Sequence, residues 1–327
     1  MDSTTHKIGN KTFKLASNVI PEAVPYIPSD DAVRNFIDDG WRATVNAGPL
    51  KFEMGIEDLA DDIVNAGTQP IWCWGHLGTG KSQAVIRIAA GLKWPLVKFV
   101  NNADKTEEDI VGSYVLRNGE TVWIDQAMVI AMNIGAIFLV EEPSHGSMLK
   151  PIHAAAEMGS FTITRTGVTV VPHPNFRVVA VDNELNGNDA TGRYASTRAV
   201  DSATRSRFQI TYHVDYPEIE AEKKIIALHT SDADAIEKIT QFAQESRILF
   251  NRYEAGAEDG TGISSPVAIS TRMMIGWAKQ YALTGNMDKA FAKTVLSSVG
   301  DSDATVCAEL YQRIAGTMAL NELARKL

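Results

Sequence analysis

The eight residues Gly75-His76-Leu77-Gly78-Thr79-Gly80-Lys81-Ser82 constrain this chain more than any other stretch. They fit the pattern G-x-x-x-x-G-K-[ST], in which glycines let successive backbone N–H groups curl around phosphate oxygens, where a Cβ would obstruct the approach. Lys81 supplies a point charge for the outer phosphates of a nucleotide, and the Ser82 hydroxyl can ligate Mg²⁺. The mechanism requires a strand before the loop and a helix after it, because the helix N-terminus adds positive partial charge. Both flanks comply. Ile71 to Trp74 is a short apolar run, and Ala84, Val85, Ile88, Ala89 and Leu92 form the buried stripe of a helix.

From Pro70 to about Val214, short apolar runs alternate with helical patterns, the texture of a parallel sheet covered on both faces. Expected strands are Ile71 to Trp74, Leu96 to Val100, Ala136 to Val140, Arg177 to Val181 and Gln209 to Val214. Two hairpins are expected between them: Tyr114 to Ile124, turning at Asn118-Gly119, and Phe161 to Val171, turning at Thr166-Gly167. Upstream, Pro21, Pro25 and Pro28 predict an extended leader, and Asp30 and Asp31 offer a cap for a helix through about Ala43. Ile56, Leu59, Ala60 and Ile63 mark a second helix with Gly67 as its stop. Beyond Pro217 the periodicity is helical: Ile236, Ile239, Ala243 and Phe250 share a face. Further helices are expected over Ser270 to Leu283 and Ala304 to Arg325, with an acidic Gly-rich loop at Ala255 to Gly262. The expected division is therefore a leader at 1–50, an α/β core at 51–216 and an α-helical lid at 217–327.

Chemistry gathers at the expected strand ends. Ala136 to Val140 delivers Glu141 and Glu142 to a C-terminal strand end, where open α/β sheets bind ligands. One acid can hold the Mg²⁺ shell, a role assigned to Glu141. The other can orient and deprotonate water, a role assigned to Glu142. Asn183 follows another strand and could hold that water. Arg205 and Arg207 precede the last strand and Arg272 opens a lid helix; a cation there would stabilise charge developing on a transferred phosphoryl group. Taken singly, each arginine also reads as a surface ion-pair residue, and Asn183 as a turn residue.

The order of these elements resembles that of AAA+ ATPases of the MoxR clade, and within it the CobS branch, the ATPase subunits of aerobic cobaltochelatase. The residues that carry the resemblance are 75 to 82, Leu92-Lys-Trp-Pro95, Asp109-Ile-Val-Gly112 with its hairpin, and Val171 to Arg177. Asn183, Gly187 to Tyr194 and Ser206-Arg207-Phe208 continue it, so that it covers roughly residues 20 to 285. It implies an AAA+ phosphate-loop core with a parallel sheet and inserted β-hairpins, a smaller helical lid, and a homo-oligomeric ring, a hexamer in that clade's manner, with ATP and Mg²⁺ between subunits. On matching positions it makes Gly75, His76, Leu77, Gly78, Thr79, Gly80, Lys81 and Ser82 the Walker A loop, and Glu141 and Glu142 Walker B. It likewise makes Asn183 sensor 1, Arg272 sensor 2, and Arg207, with Arg205 as alternate, the finger reaching a neighbour's site. Two departures stand out: the family places Asp where Glu141 stands, and Asp where Ser206 stands.

The implied function is ATP hydrolysis that remodels a partner carrying a von Willebrand factor A domain, of the CobT type, with metal chelation belonging to another subunit. Alternatives are a nucleotide-gated scaffold with weak hydrolysis and a nucleic-acid motor. Nucleic acid is disfavoured: the net charge is -9, and the hairpin from Phe161 to Val171 carries Arg165 as its basic residue without a stacking platform. Two cysteines, Cys73 and Cys307, lack metal-ligand spacing and fit a reducing cytoplasm. No apolar h-region or membrane-length run is read in the sequence.

Overall fold

The computed structural model describes residues 5–8, 11–14, 36–47, 55–67, 69–145, 149–157, 159–183, 206–254 and 267–316. The chain divides into two compact units, one comprising Met1–His76 with Lys81–Asp215, the other Leu77–Gly80 with Tyr216–Leu327.

The first unit is built on five parallel strands, β3 (Ile71–Trp74), β4 (Leu96–Val100), β7 (Ile137–Glu141), β10 (Arg177–Asp182) and β11 (Ile210–His213). Their order across the sheet is β11-β3-β10-β7-β4. Central strands β7 and β10 are buried along almost their whole length, and edge strand β11 alternates between half-buried and exposed residues. That contrast is what two-sided cover at the centre and one-sided cover at an edge require. Helix α3 (Lys81–Gly91) follows β3 and buries Ala84, Val85, Ile88 and Ala89, the stripe expected from sequence. Helix α2 (Glu57–Asn65) buries Leu59, Ala60 and Ile63, each completely. The aliphatic side chains of Leu59 and Ile63 each stabilise the unit by roughly 1.5–3 kcal/mol.

Both expected hairpins form. The first pairs β5 (Gly112–Arg117) with β6 (Glu120–Asp125). The second pairs β8 (Phe161–Thr162) with β9 (Thr169–Val170) and is shorter, its loop closed by Gly167 N–H donating to Ile163 O at 2.8 Å. Tyr114 Oη donates to Arg165 O at 3.4 Å and Arg165 pairs with Glu108 at 2.5 Å, which ties one hairpin to the other.

Two expectations in this unit need correction. The helix expected through Ala43 is interrupted at residues 37 and 38, where Ile37 bridges Val97 and Asp38 N–H donates to Leu96 O, so helix α1 runs over Asp39–Ala47. Asp38 Oδ1 accepts the Trp41 N–H at 2.8 Å and caps this helix, whereas the expected caps Asp30 and Asp31 lie outside the described residues. A small hairpin, β1 (Thr5–Ile8) and β2 (Lys11–Lys14), stands where no strand was expected, with Ile8 and Phe13 buried. The proline-bearing segment and Ala255 to Gly262 lie outside the described residues.

The second unit carries helices α7 (Ile219–Ala227), α8 (Ala233–Glu254), α9 (Thr271–Thr284), α10 (Met287–Thr294) and α11 (Asp301–Ala315). Its own core is aromatic: Trp277, Phe242, Phe291 and Tyr311 pack together, Phe291 and Tyr311 stacked at 4.1 Å. The helix expected to reach Arg325 instead ends at Ala315, because Gly316 adopts a left-handed cap with φ 71° and donates to Gln312 O. Among the described residues no helix is long and apolar enough to cross a membrane.

Candidate functional site

Within the first unit, the loop leaves β3 at Gly75, whose φ is 151°. A Cβ at this position would stand 2.1 Å from Val214 O, so the backbone of the β11 exit and the loop touch where a side chain cannot fit. At the other end Lys81 is buried. Its Nζ donates to Gly75 O and His76 O, both at 2.7 Å, and to Asn183 Oδ1 at 3.2 Å. Two loop carbonyls and one amide thus hold the ammonium, while the half-buried Ser82 follows it in the first turn of α3. The donor set of N–H groups, an ammonium and a hydroxyl suits an oxyanion, so the residues fit a nucleotide phosphate.

The acids at the end of β7 differ in setting. Glu141 pairs with Lys98 of β4 at 3.0 Å. Glu142 is exposed and has φ 55°, a left-handed conformation that costs a non-glycine residue about 1–2 kcal/mol. Neighbouring groups hold it there. Its N–H donates to Val181 O at 3.0 Å, and buried Asn101 donates from Nδ2 to Glu142 O at 3.4 Å and Pro143 O at 3.2 Å. On the other side, the buried Asp182 carboxylate accepts the Ser144 N–H at 3.1 Å and the Asn183 N–H at 2.7 Å. Sequence reasoning missed Lys98, Asn101 and Asp182. A lysine inside an apolar strand was a signal for the first; for the other two the signal was weaker, a polar residue directly at a strand end.

Arg207, ahead of β11, lies with Nη1 3.5 Å from His153 Nδ1 of α6 (Leu149–Glu157). Phe208 behind it is buried edge-on against Trp72 and His153. Arg205 and the stretch from Gly187 to Tyr194 lie outside the described residues.

The remaining site residues belong to the second unit. Leu77 is exposed, Thr79 is buried and Gly80 has φ 93°. Gly78 has φ 75°, and a Cβ on it would fall 2.5 Å from Ser270 Cβ and 3.6 Å from Arg272 Cβ. Ser270 caps α9 by accepting the Met273 N–H, and Arg272 projects from that first turn as an exposed residue. The structure therefore brings Arg272 beside Gly78, Lys81 beside Asn183, and Glu141 beside Glu142 on one strand end. Among the described residues no cluster of His, Cys, Asp and Glu could hold a metal by itself, so a Mg²⁺ here would depend on phosphate oxygens for part of its shell.

The AAA domain (dynein-related subfamily) matches residues 73–208, which run from within β3 to just before β11. The chain is 26% identical over 255 residues to the aerobic cobaltochelatase subunit CobS of Sinorhizobium sp, covering 74% of each protein. It is 27% identical over 257 residues to protein NorQ of Paracoccus denitrificans, covering 77% of this chain and 88% of that one. To protein CbbQ of Hydrogenophilus thermoluteolus it is 28% identical over 236 residues, covering 71% and 81%. With the phosphate loop between β3 and α3 and the strand order described above, residues 73–208 match an AAA domain, and the chain resembles AAA+ ATPases of the MoxR clade, CobS among them.

Proposed function

We propose that this protein hydrolyses ATP in a homo-oligomeric ring, a hexamer by likeness to its clade, and uses the cycle to remodel a partner protein. The observation that carries the reading is Lys81, buried, held by two loop carbonyls and joined to Asn183. A cation fixed in that manner meets a phosphate with little reorganisation. Gly75 to Ser82 bind the phosphates, and Ser82 and Glu141 would hold Mg²⁺, which supplies charge neutralisation for the phosphoryl group. Glu142 orients and deprotonates the attacking water, and Asn183 holds that water. Arg272 contributes a cation from the same subunit. Arg207 contributes one to the neighbour's site, with Arg205 as the alternate. The partner we favour carries a von Willebrand factor A domain of the CobT type, supported by the likeness to a cobaltochelatase subunit. A cytoplasmic location accords with two unpaired cysteines.

The test compares ATP turnover and ring formation in wild type, Glu142→Gln and Arg207→Ala. We expect at least a hundredfold loss of turnover in both variants with ATP binding kept in Glu142→Gln. Wild-type turnover in both would end the assignment.

One observation favours a second reading, a nucleotide-gated scaffold with weak hydrolysis. Glu141 is engaged by Lys98, and a metal-binding acid already paired with a lysine ligates less readily. Tight ATP binding with turnover near background would select it. The nucleic-acid motor draws no support, since Arg165 is itself paired with Glu108.

A further inference from the structure

Inside the second unit a buried ion pair stands next to Arg272 and grips the backbone that leads into it. Glu222 of α7 is 1% exposed and accepts from Arg247 of α8 in bidentate fashion, Nη1 to Oε2 at 2.7 Å and Nη2 to Oε1 at 3.0 Å. The same Oε1 accepts the Thr271 hydroxyl at 2.5 Å. Arg247 Nε donates to Ile269 O at 2.9 Å, and Ile269 N–H donates to Ser246 Oγ at 3.2 Å. Residues 269 and 271 are thereby fixed by three side chains from two other helices. Ser270 between them is the residue packed against Gly78. The chain of contacts continues outward: the Arg247 guanidinium lies 3.7 Å from the centre of the Tyr216 ring, and Tyr216 Oη donates to Leu77 O at 3.2 Å.

A buried ion pair is a poor source of net stability, because desolvating both charges offsets most of their attraction. Its geometric demand is strict, however: a fork of N–H groups must meet two carboxylate oxygens in plane. Here that demand sets the first turn of α9 and both ends of a path to the loop segment Leu77–Gly80. We propose that Glu222 is a positioning residue, which acts through Thr271 and Arg247 to hold Arg272 at the height of the phosphate loop. The inference rests on the reading that Arg272 serves ATP. It adds a group that never touches nucleotide yet sets how well Arg272 does.

The experiment is a double-mutant cycle on the full-length protein. Thr271→Val removes one hydroxyl bond to Glu222 at constant volume; Glu222→Gln weakens the whole fork; each is measured alone and with Arg272→Ala, for kcat, KM and affinity for a fluorescent ATP analogue. We expect each single variant to lose about tenfold in kcat/KM, as slight misplacement of a binding group does, and to lose nothing further in the Arg272→Ala background. Losses that multiply with that of Arg272→Ala, or a Thr271→Val protein with wild-type constants, overturn the proposal while ATP hydrolysis by the wild type still stands. Wild-type protein that neither binds nor hydrolyses ATP overturns both. Should Glu222→Gln unfold, Thr271→Val and its cycle decide alone.

Discussion

Lys81 and Asn183 are joined at 3.2 Å across 102 residues of sequence, one at the first turn of α3 and the other just past β10. The bond aims the amide oxygen at the ammonium, which leaves the amide N–H₂ as a donor for water or phosphate. Removing either partner has different consequences. Lys81→Ala should abolish measurable ATP binding by calorimetric titration. Asn183→Ala should keep the affinity within about threefold and lower kcat by about 10²-fold, the loss expected for one preorganised donor.

Two glycines of the loop separate stability from binding. A methyl at Gly75 meets Val214 O at 2.1 Å, so Gly75→Ala should destabilise the first unit by more than about 2 kcal/mol in urea denaturation. At Gly80 no atom stands within 4 Å of such a methyl, and the backbone strain of its φ 93° is the remaining term. Gly80→Ala should therefore unfold within about 2 kcal/mol of wild type yet bind ATP far more weakly, because its methyl enters the phosphate cradle.

Arg177 tests a structural cation. Its guanidinium is buried and donates to the carbonyls of Ile63, Val64, Pro174 and Phe176, and it lies 5.1 Å from the Trp94 ring. Burial pushes its pKa down to about 10. Arg177→Met strands those carbonyls and should cost on the order of 3 kcal/mol in chemical unfolding. Arg177→Lys should recover less than half of that, since an ammonium cannot reproduce the fork.

The two thiols predict an alkaline slope. Burial pushes both Cys73 and Cys307 up to about 12 in the folded chain, against an ordinary value of 9.0. Below pH 9 both states keep the proton and stability does not respond. Between pH 9 and 12 the unfolded chain releases it and the folded chain does not, so unfolding free energy should fall by about 1.4 kcal/mol per pH unit per thiol. Denaturant titrations of wild type and Cys73→Ala across that range should differ by one thiol's slope.

Much of this arrangement is legible in the sequence because it is local. The five apolar runs, Asn118-Gly119, Gly167 and the loop at 75–82 each announce their geometry within ten residues. What escapes is set by partners far along the chain. The helix expected through Ala43 is interrupted ahead of Asp39 because Ile37 is drawn onto Val97, a pairing no window around residue 37 contains. Lys98 and Glu141 are 43 residues apart by their numbers, and the left-handed backbone of Glu142 follows from Asn101 and Val181 rather than from its own preference. The hairpin Thr5–Lys14 escapes for the opposite reason: with two buried apolar residues it carries too faint an alternation to read.

The division of the loop has a consequence for heating. Its central residues Leu77–Gly80 group with the helical unit, whereas Gly75, His76, Lys81 and Ser82 group with the sheet unit, and each unit has a separate core. Two endotherms are then expected without nucleotide. Scanning calorimetry should resolve them, and Gly75→Ala, whose clash with Val214 O lies wholly inside the sheet unit, should lower one transition and leave the other where it is.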